Sequence, residues 1–130
     1  TRSTNRSQFV RASLESIAYQ CKDVVEVMQE ETKIPLKLLK VDGGATKNRF
    51  LMQFQSNLLQ TEIRLPRCLE TTALGVAYMA GLQCGFFKSL DNIKKIHEYQ
   101  AVYTPSVDKK EVDRLYEGWI KAIKATRIFK

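Results

Sequence analysis

The sequence predicts an α/β fold, with helices packed on a small mixed or parallel sheet, and three observations carry that prediction. A short apolar stretch, a Gly-Gly turn, an amphipathic stretch and a second alternating stretch succeed one another within about thirty residues, the size of a βαβ unit. Amphipathic patterns with three- and four-residue steps stand near both ends of the chain. The length of 130 residues is that of one ordinary domain, and a composition 44% hydrophobic and 27% charged is that of a globular protein without low-complexity tracts.

The first element runs from Gln8 to about Glu31, where Val10, Leu14, Ile17, Cys21, Val24, Val25 and Met28 recur at the period of one helix face. Thr4, Asn5 and Ser7 are candidate N-caps, and Pro35 sets the outer limit because the residue before a proline avoids the helical region. Leu36 to Val41 reads as a strand running into Asp42-Gly43-Gly44. Phe50, Leu51, Phe54, Leu58 and Leu59 form the stripe of a second helix, and Thr61 to Leu65 alternates as a strand stopped by Pro66. Crossover connections of this kind join parallel strands, so the two strands are expected to lie parallel.

A third helix begins near Glu70-Thr71-Thr72 and stops by Gly85, with small residues Ala73, Ala77 and Gly81 at steps of four. Such a face predicts close packing on a sheet. Residues 86–107 are mixed, with Ser89 to Lys95 reading as a short helix and Ala101 to Tyr103 as an extended stretch. From Asp108 to about Arg127, Val112, Leu115, Tyr116, Trp119 and Ile123 share a stripe, which predicts a terminal helix docked on its own domain. Two short strands make a marginal sheet, so the chain is expected to be part of a larger α/β assembly.

The formal charge of +7 and pI near 9.4 suit anionic partners. With no run of five basic residues and no interleaved exposed aromatics, no nucleic-acid surface is expected. Cys21, Cys68 and Cys84 are widely spaced and His97 is the single histidine, a pattern that supplies neither a zinc site nor a disulfide framework. Buried or idle free thiols in a reducing cytosol are the expectation. No apolar run approaches the about 20 residues of a membrane span. No secretory signal is visible, and a first residue Thr1 in place of Met places the expected natural start upstream.

Chemistry concentrates in Val41-Asp42-Gly43-Gly44-Ala45-Thr46-Lys47-Asn48, which joins a strand to a helix. Two glycines there permit positive backbone angles and clear the approach of a ligand, and free amides at a helix start attract negative charge. Ligands of open α/β sheets also gather at the carboxyl ends of strands. A phosphate or nucleotide fits, and so does a tight turn alone. The spacing is neither the Walker A loop nor the dinucleotide GxGxxG. Lys47 reads as pointing to water, whereas Asn48, about one helical turn beyond Gly44, is placed to meet the edge of a purine resting on the Gly44 backbone.

The string from Val41 to Gln55 resembles the adenosine-binding segment of the glycerol kinases in the FGGY carbohydrate kinase family. Gln8 to Glu15 resembles the second half of the family's C-terminal signature, Glu70 to Leu82 its following buried helix, and Tyr116 to Ile123, with Trp119, a motif of its final helix. The resemblance covers Thr1 to Lys124 and departs at Ser3, where many members have glycine, which puts the geometry of the preceding loop in question. It implies part of an actin-like, ribonuclease-H-like ATPase lobe, with residues 1–130 as the C-terminal part of a C-terminal lobe and the N-terminal substrate lobe absent. Gly44 and Asn48 would contact adenine, and Gly43 would shape the turn. ATP is the implied cosubstrate and glycerol the implied acceptor, with another sugar or polyol kinase such as a pentulose kinase as an alternative. Mg2+ ligands, the catalytic base and polyol contacts would lie outside this chain, in a cytoplasmic, homo-oligomeric parent. A non-catalytic module that binds a partner through the terminal helix and Trp119 is the reading from a different class.

Overall fold

The computed structural model describes residues 3–68 and 70–128, so Thr1 and Arg2 of the chain start lie outside the described residues. Helix α1 (Arg6–Thr32) opens with Asn5, whose side chain accepts from the Gln8 amide while the Gln8 side chain accepts from the Asn5 amide, 2.9 Å each way. This reciprocal pair satisfies two amides that the helix geometry leaves without partners. The α1 packing face differs from the predicted stripe. Ala18 and Tyr19 are buried, and Val10, Ile17, Cys21, Val24 and Met28 are exposed. Periodicity identified the helix; which face meets the core was decided by its neighbours.

Strand β1 (Leu38–Lys40) leads through a 3-10 turn (Gly44–Lys47) into α2 (Arg49–Leu59), then β2 (Glu62–Pro66). Helices α3 (Thr71–Gln83) and α4 (Leu90–Ile96), strand β3 (Tyr99–Tyr103) and helix α5 (Lys109–Ile128) complete the chain. The sheet order is β1-β2-β3, with β1 and β2 parallel as expected. β3 pairs antiparallel to β2, so the sheet is mixed. Pro66, read as a stop, instead pairs with Tyr99 across an irregularity in the register. A proline is tolerated there because it lies at the strand end beside a bulge.

Alternation along β2 sends Ile63 and Leu65 inward, and Ile63 shares one core cluster with Leu51, Phe54 and Leu58 of α2 and Ala18 and Tyr19 of α1. The fully buried Ser56 hydroxyl lies 2.9 Å from the Thr61 carbonyl and 3.1 Å from that of Tyr103, tying α2 to the start of β2 and the end of β3. Helix α5 docks through Val112, Leu115, Tyr116 and Trp119 of its predicted stripe, whereas Ile123 of that stripe is exposed. Trp119 stacks on Tyr19 with centroids 5.3 Å apart, and Phe54 meets the same tyrosine edge-on at 5.6 Å. The Trp119 indole donates to Asp23 at 3.0 Å, and the Tyr116 hydroxyl lies 2.5 Å from Asp23 and 3.0 Å from Glu26. Burial, followed by these acceptors, pushes the Tyr116 phenol well above its ordinary value, because ionisation would set a third negative charge beside two carboxylates. Trp119 is thus spent on the chain's own core, which removes it as the anchor of the interaction-module reading.

Helix α3 departs most from expectation. Ala73 and Ala77 are exposed, and Gly81 alone of the small-residue stripe is buried, against Phe87 and not against the sheet. A Cβ at Gly81 would lie 2.5 Å from the Phe87 ring, which is why a residue without one stands there. Val76 and Met79 are 64% and 73% exposed, so the helix read as buried is not buried within this chain.

Candidate functional site

The glycine turn sits at the carboxyl end of β1, and because β1 and β2 are parallel that end lies beside the carboxyl end of β2 and the start of α3. One last bond, from the Val41 amide to the Arg64 carbonyl at 3.2 Å, continues the pairing before the chain leaves the sheet at Asp42. Gly43 has φ +88°, a region closed to most side chains, and nothing lies within 4 Å of where a Cβ would project from Gly43 or Gly44. Gly43 therefore serves backbone conformation, whereas Gly44 does not take the positive φ expected of it, and among the described residues no neighbour crowds the outward approach to either. Both are exposed.

The helix does not begin at the glycines, as the sequence suggested. Gly44–Lys47 forms a 3-10 turn, and Asn48, with φ −82° and ψ 100°, breaks it and caps α2. At about 2 Å of rise per residue, this tighter turn places Asn48 about 8 Å along the axis from Gly44, against about 6 Å in an α-helix. The Asn48 side-chain oxygen accepts from the Leu51 amide at 3.1 Å. The carboxamide oxygen is thereby engaged by the helix it caps, which leaves the NH2 group as the donor that a ligand could meet. Lys47 is exposed, as read. No acidic residue occupies the first turn of α2, and Lys47 and Arg49 flank its start, an arrangement opposed to the helix dipole and suited to a negatively charged ligand.

Two groups in the site were not singled out from sequence. Thr46 is 4% exposed, and its hydroxyl and amide reach the Gly43 carbonyl at 2.6 Å and 3.2 Å. A threonine three residues after a turn carbonyl is a local pattern that could have revealed it. Asp42 accepts from the Thr71 hydroxyl at the start of α3, a contact across 29 positions for which no local signal exists. Beside Asp42 lies a cavity of about 210 Å³ walled by Lys40, Thr71, His97 and Tyr99. Burial raises the Tyr99 phenol, but hydrogen bonds from Lys40 and Arg64 outweigh it and leave its pKa below the ordinary value. Among the described residues no group of three or more His, Cys, Asp or Glu could hold a metal ion.

Comparison with known proteins agrees with this architecture. The chain is 50% identical over 130 residues to the glycerol kinase of Enterococcus casseliflavus and 46% identical over 129 residues to that of Streptococcus pneumoniae strain Hungary19A-6. It covers 26% of the length of each relative. The crystal structure of Plasmodium falciparum glycerol kinase with ADP superposes at a TM-score of 0.92 with 38% identity, over 97% of this chain and 25% of that one. A ligand-bound xylulose kinase from Lactobacillus acidophilus shares the fold at a TM-score of 0.78 with 23% identity, over 96% of this chain and 26% of that one. Residues 1–84 match the C-terminal domain of the FGGY carbohydrate kinases, with the parallel strand pair and glycine turn inside the matched span, and the chain belongs to that family.

Proposed function

We propose that this chain is the ATP-binding part of a glycerol kinase, whose complete enzyme moves the γ-phosphoryl group of ATP to a terminal hydroxyl of glycerol and releases glycerol 3-phosphate. The observation that carries the proposal is the glycine turn: exposed main chain at the carboxyl end of β1, followed by an asparagine whose oxygen is held by the helix it caps. Gly44 offers a flat backbone surface to adenine, Gly43 supplies the bend, and the Asn48 NH2 donates to a ring nitrogen. That donor polarity selects an acceptor on the purine edge and disfavours an amino group there. Identity of 46% and 50% to glycerol kinases, against 23% to a xylulose kinase, favours glycerol over a pentulose as acceptor.

Residues 1–130 would form the C-terminal part of the C-terminal lobe, with the polyol site, the base for the attacking hydroxyl and the remaining phosphate contacts on the rest of the enzyme. The nearest carboxylate to the turn, Asp42, is engaged by Thr71, so the donor set here does not make a Mg2+ cage and no step is derived through the metal. The parent is proposed to act in the cytoplasm as a homo-oligomer; among the described residues no helix is long and apolar enough to cross a membrane. Phosphoryl transfer depends on positioning and charge stabilisation from both sides of a cleft. The isolated chain is therefore expected to be inactive and to bind ATP weakly, and glycerol-dependent ADP release by it alone would refute this.

In the complete enzyme, Asn48→Ala and Asn48→Ser should each raise the KM for ATP about fivefold, the scale of one hydrogen bond, with the KM for glycerol within about twofold. Serine preserves a capping oxygen for Leu51 but has no amide donor. Recovery of the wild-type KM in the serine variant would reduce Asn48 to a cap and remove it from the ligand.

A further inference from the structure

We infer that Thr46 is the positioning residue of the nucleotide turn: its side chain sets the Gly43 carbonyl so that the following backbone faces outward. The inference rests on the nucleotide reading above and adds a residue to it. Gly43 at φ +88° has no side chain to hold its conformation, and nothing within 4 Å of its missing Cβ supports it from that side. Left alone, a glycine pair samples many backbone states, and a ligand that needs one of them loses affinity in proportion to the fraction populated.

Thr46 supplies the missing restraint twice over. Its hydroxyl donates to the Gly43 carbonyl at 2.6 Å and its amide to the same oxygen at 3.2 Å, so one residue supplies two donors to that carbonyl. The residue is 4% exposed, which limits the access of water that would compete for the hydroxyl. The next bond, from the Asn48 amide to the Ala45 carbonyl at 3.1 Å, carries the same turn forward to the capping asparagine. A displaced Gly43 carbonyl would therefore shift both the Gly44 backbone and the start of α2. Thr46 touches no ligand in this scheme and acts only through Gly43.

The test uses the complete kinase with Thr46→Val, Thr46→Ser and, as comparator, Asn48→Ser, reading KM for ATP, KM for glycerol, kcat and melting temperature. Valine keeps the shape and removes the hydroxyl; serine keeps the hydroxyl and removes the methyl. The expected result is a KM for ATP raised about three- to tenfold in Thr46→Val, with the KM for glycerol within about twofold and recovery to within about twofold in Thr46→Ser. A normal KM for ATP in Thr46→Val beside a raised one in Asn48→Ser overturns the inference and leaves the nucleotide site standing. Normal values in both variants overturn the nucleotide reading and the inference together. Equal impairment of both Thr46 variants with a matching loss of melting temperature makes Thr46 a packing residue and overturns its positioning role.

Discussion

Two halves of this chain treat apolar surface in opposite ways. Where α1, α2, α5 and the sheet meet, Leu51, Leu58 and Ile63 are no more than 2% exposed, and the polar atoms of Tyr116 and Trp119 find Asp23 and Glu26. Across α3 and the segment after it, Val76, Met79 and Phe86 are 64%, 73% and 78% exposed, although α3 is among the most apolar stretches of the sequence. A helix that is apolar all round belongs inside a larger body. One half closes over a buried cluster, although α1 still exposes Val24 and Met28, and the other leaves its apolar helix largely uncovered; the chain spans 26% of the length of its first relatives.

The largest effect should come from opening the closed half. Leu58→Ala, at a residue 1% exposed, should cost about 3 kcal/mol by denaturant titration, since it removes transfer energy and leaves a cavity. A loss below about 1 kcal/mol would mean that the three-helix interface is loosely packed.

Tyr116→Phe should cost about 1 to 2 kcal/mol by removing the donor to Asp23. It also carries a pH signature. Because the folded pKa of Tyr116 is raised, its contribution is complete below the unfolded value of about 10 and fades as pH climbs beyond it, where the unfolded phenol ionises and the folded one resists. The stability gap between wild type and Tyr116→Phe should therefore narrow above about pH 10. A constant gap across that range would break the assignment.

Asn48→Ala should cost about 1 kcal/mol through loss of the α2 cap, a change that melting curves resolve.

The smallest effect in this chain should be Met79→Ala, within about 0.5 kcal/mol because its side chain is largely in water. In the complete enzyme the same change should cost about 2 to 4 kcal/mol if α3 is covered there. Equal small effects in both proteins would erase the contrast between the halves.

Much of this was readable from local pattern. The glycine turn is fixed by residues adjacent in the chain, so Gly43 and Gly44 declared a bend at a strand end before any fold was known. Asn48 was legible as a group near the turn but not as a cap, because the 3-10 turn that separates it from Gly44 differs from an α-helix by one hydrogen-bond step. Thr46 was legible in principle and Thr71 was not, since the Asp42 partner reaches it only after β1 and β2 pair.

Helix periods, turn glycines and strand alternation arise from interactions a few residues long, and the sequence alone determined them: α1 and α5 lie close to the bounds of their apolar patterns, and Asn5 caps α1 as one of its candidate residues. Which side of α1 meets the core, the antiparallel return of β3 and the exposure of α3 were decided only by tertiary structure. An amphipathic helix carries more apolar surface than one neighbour can cover, as Tyr19 buried and Val24 exposed on the same helix show, and the choice among faces follows from which partners arrive.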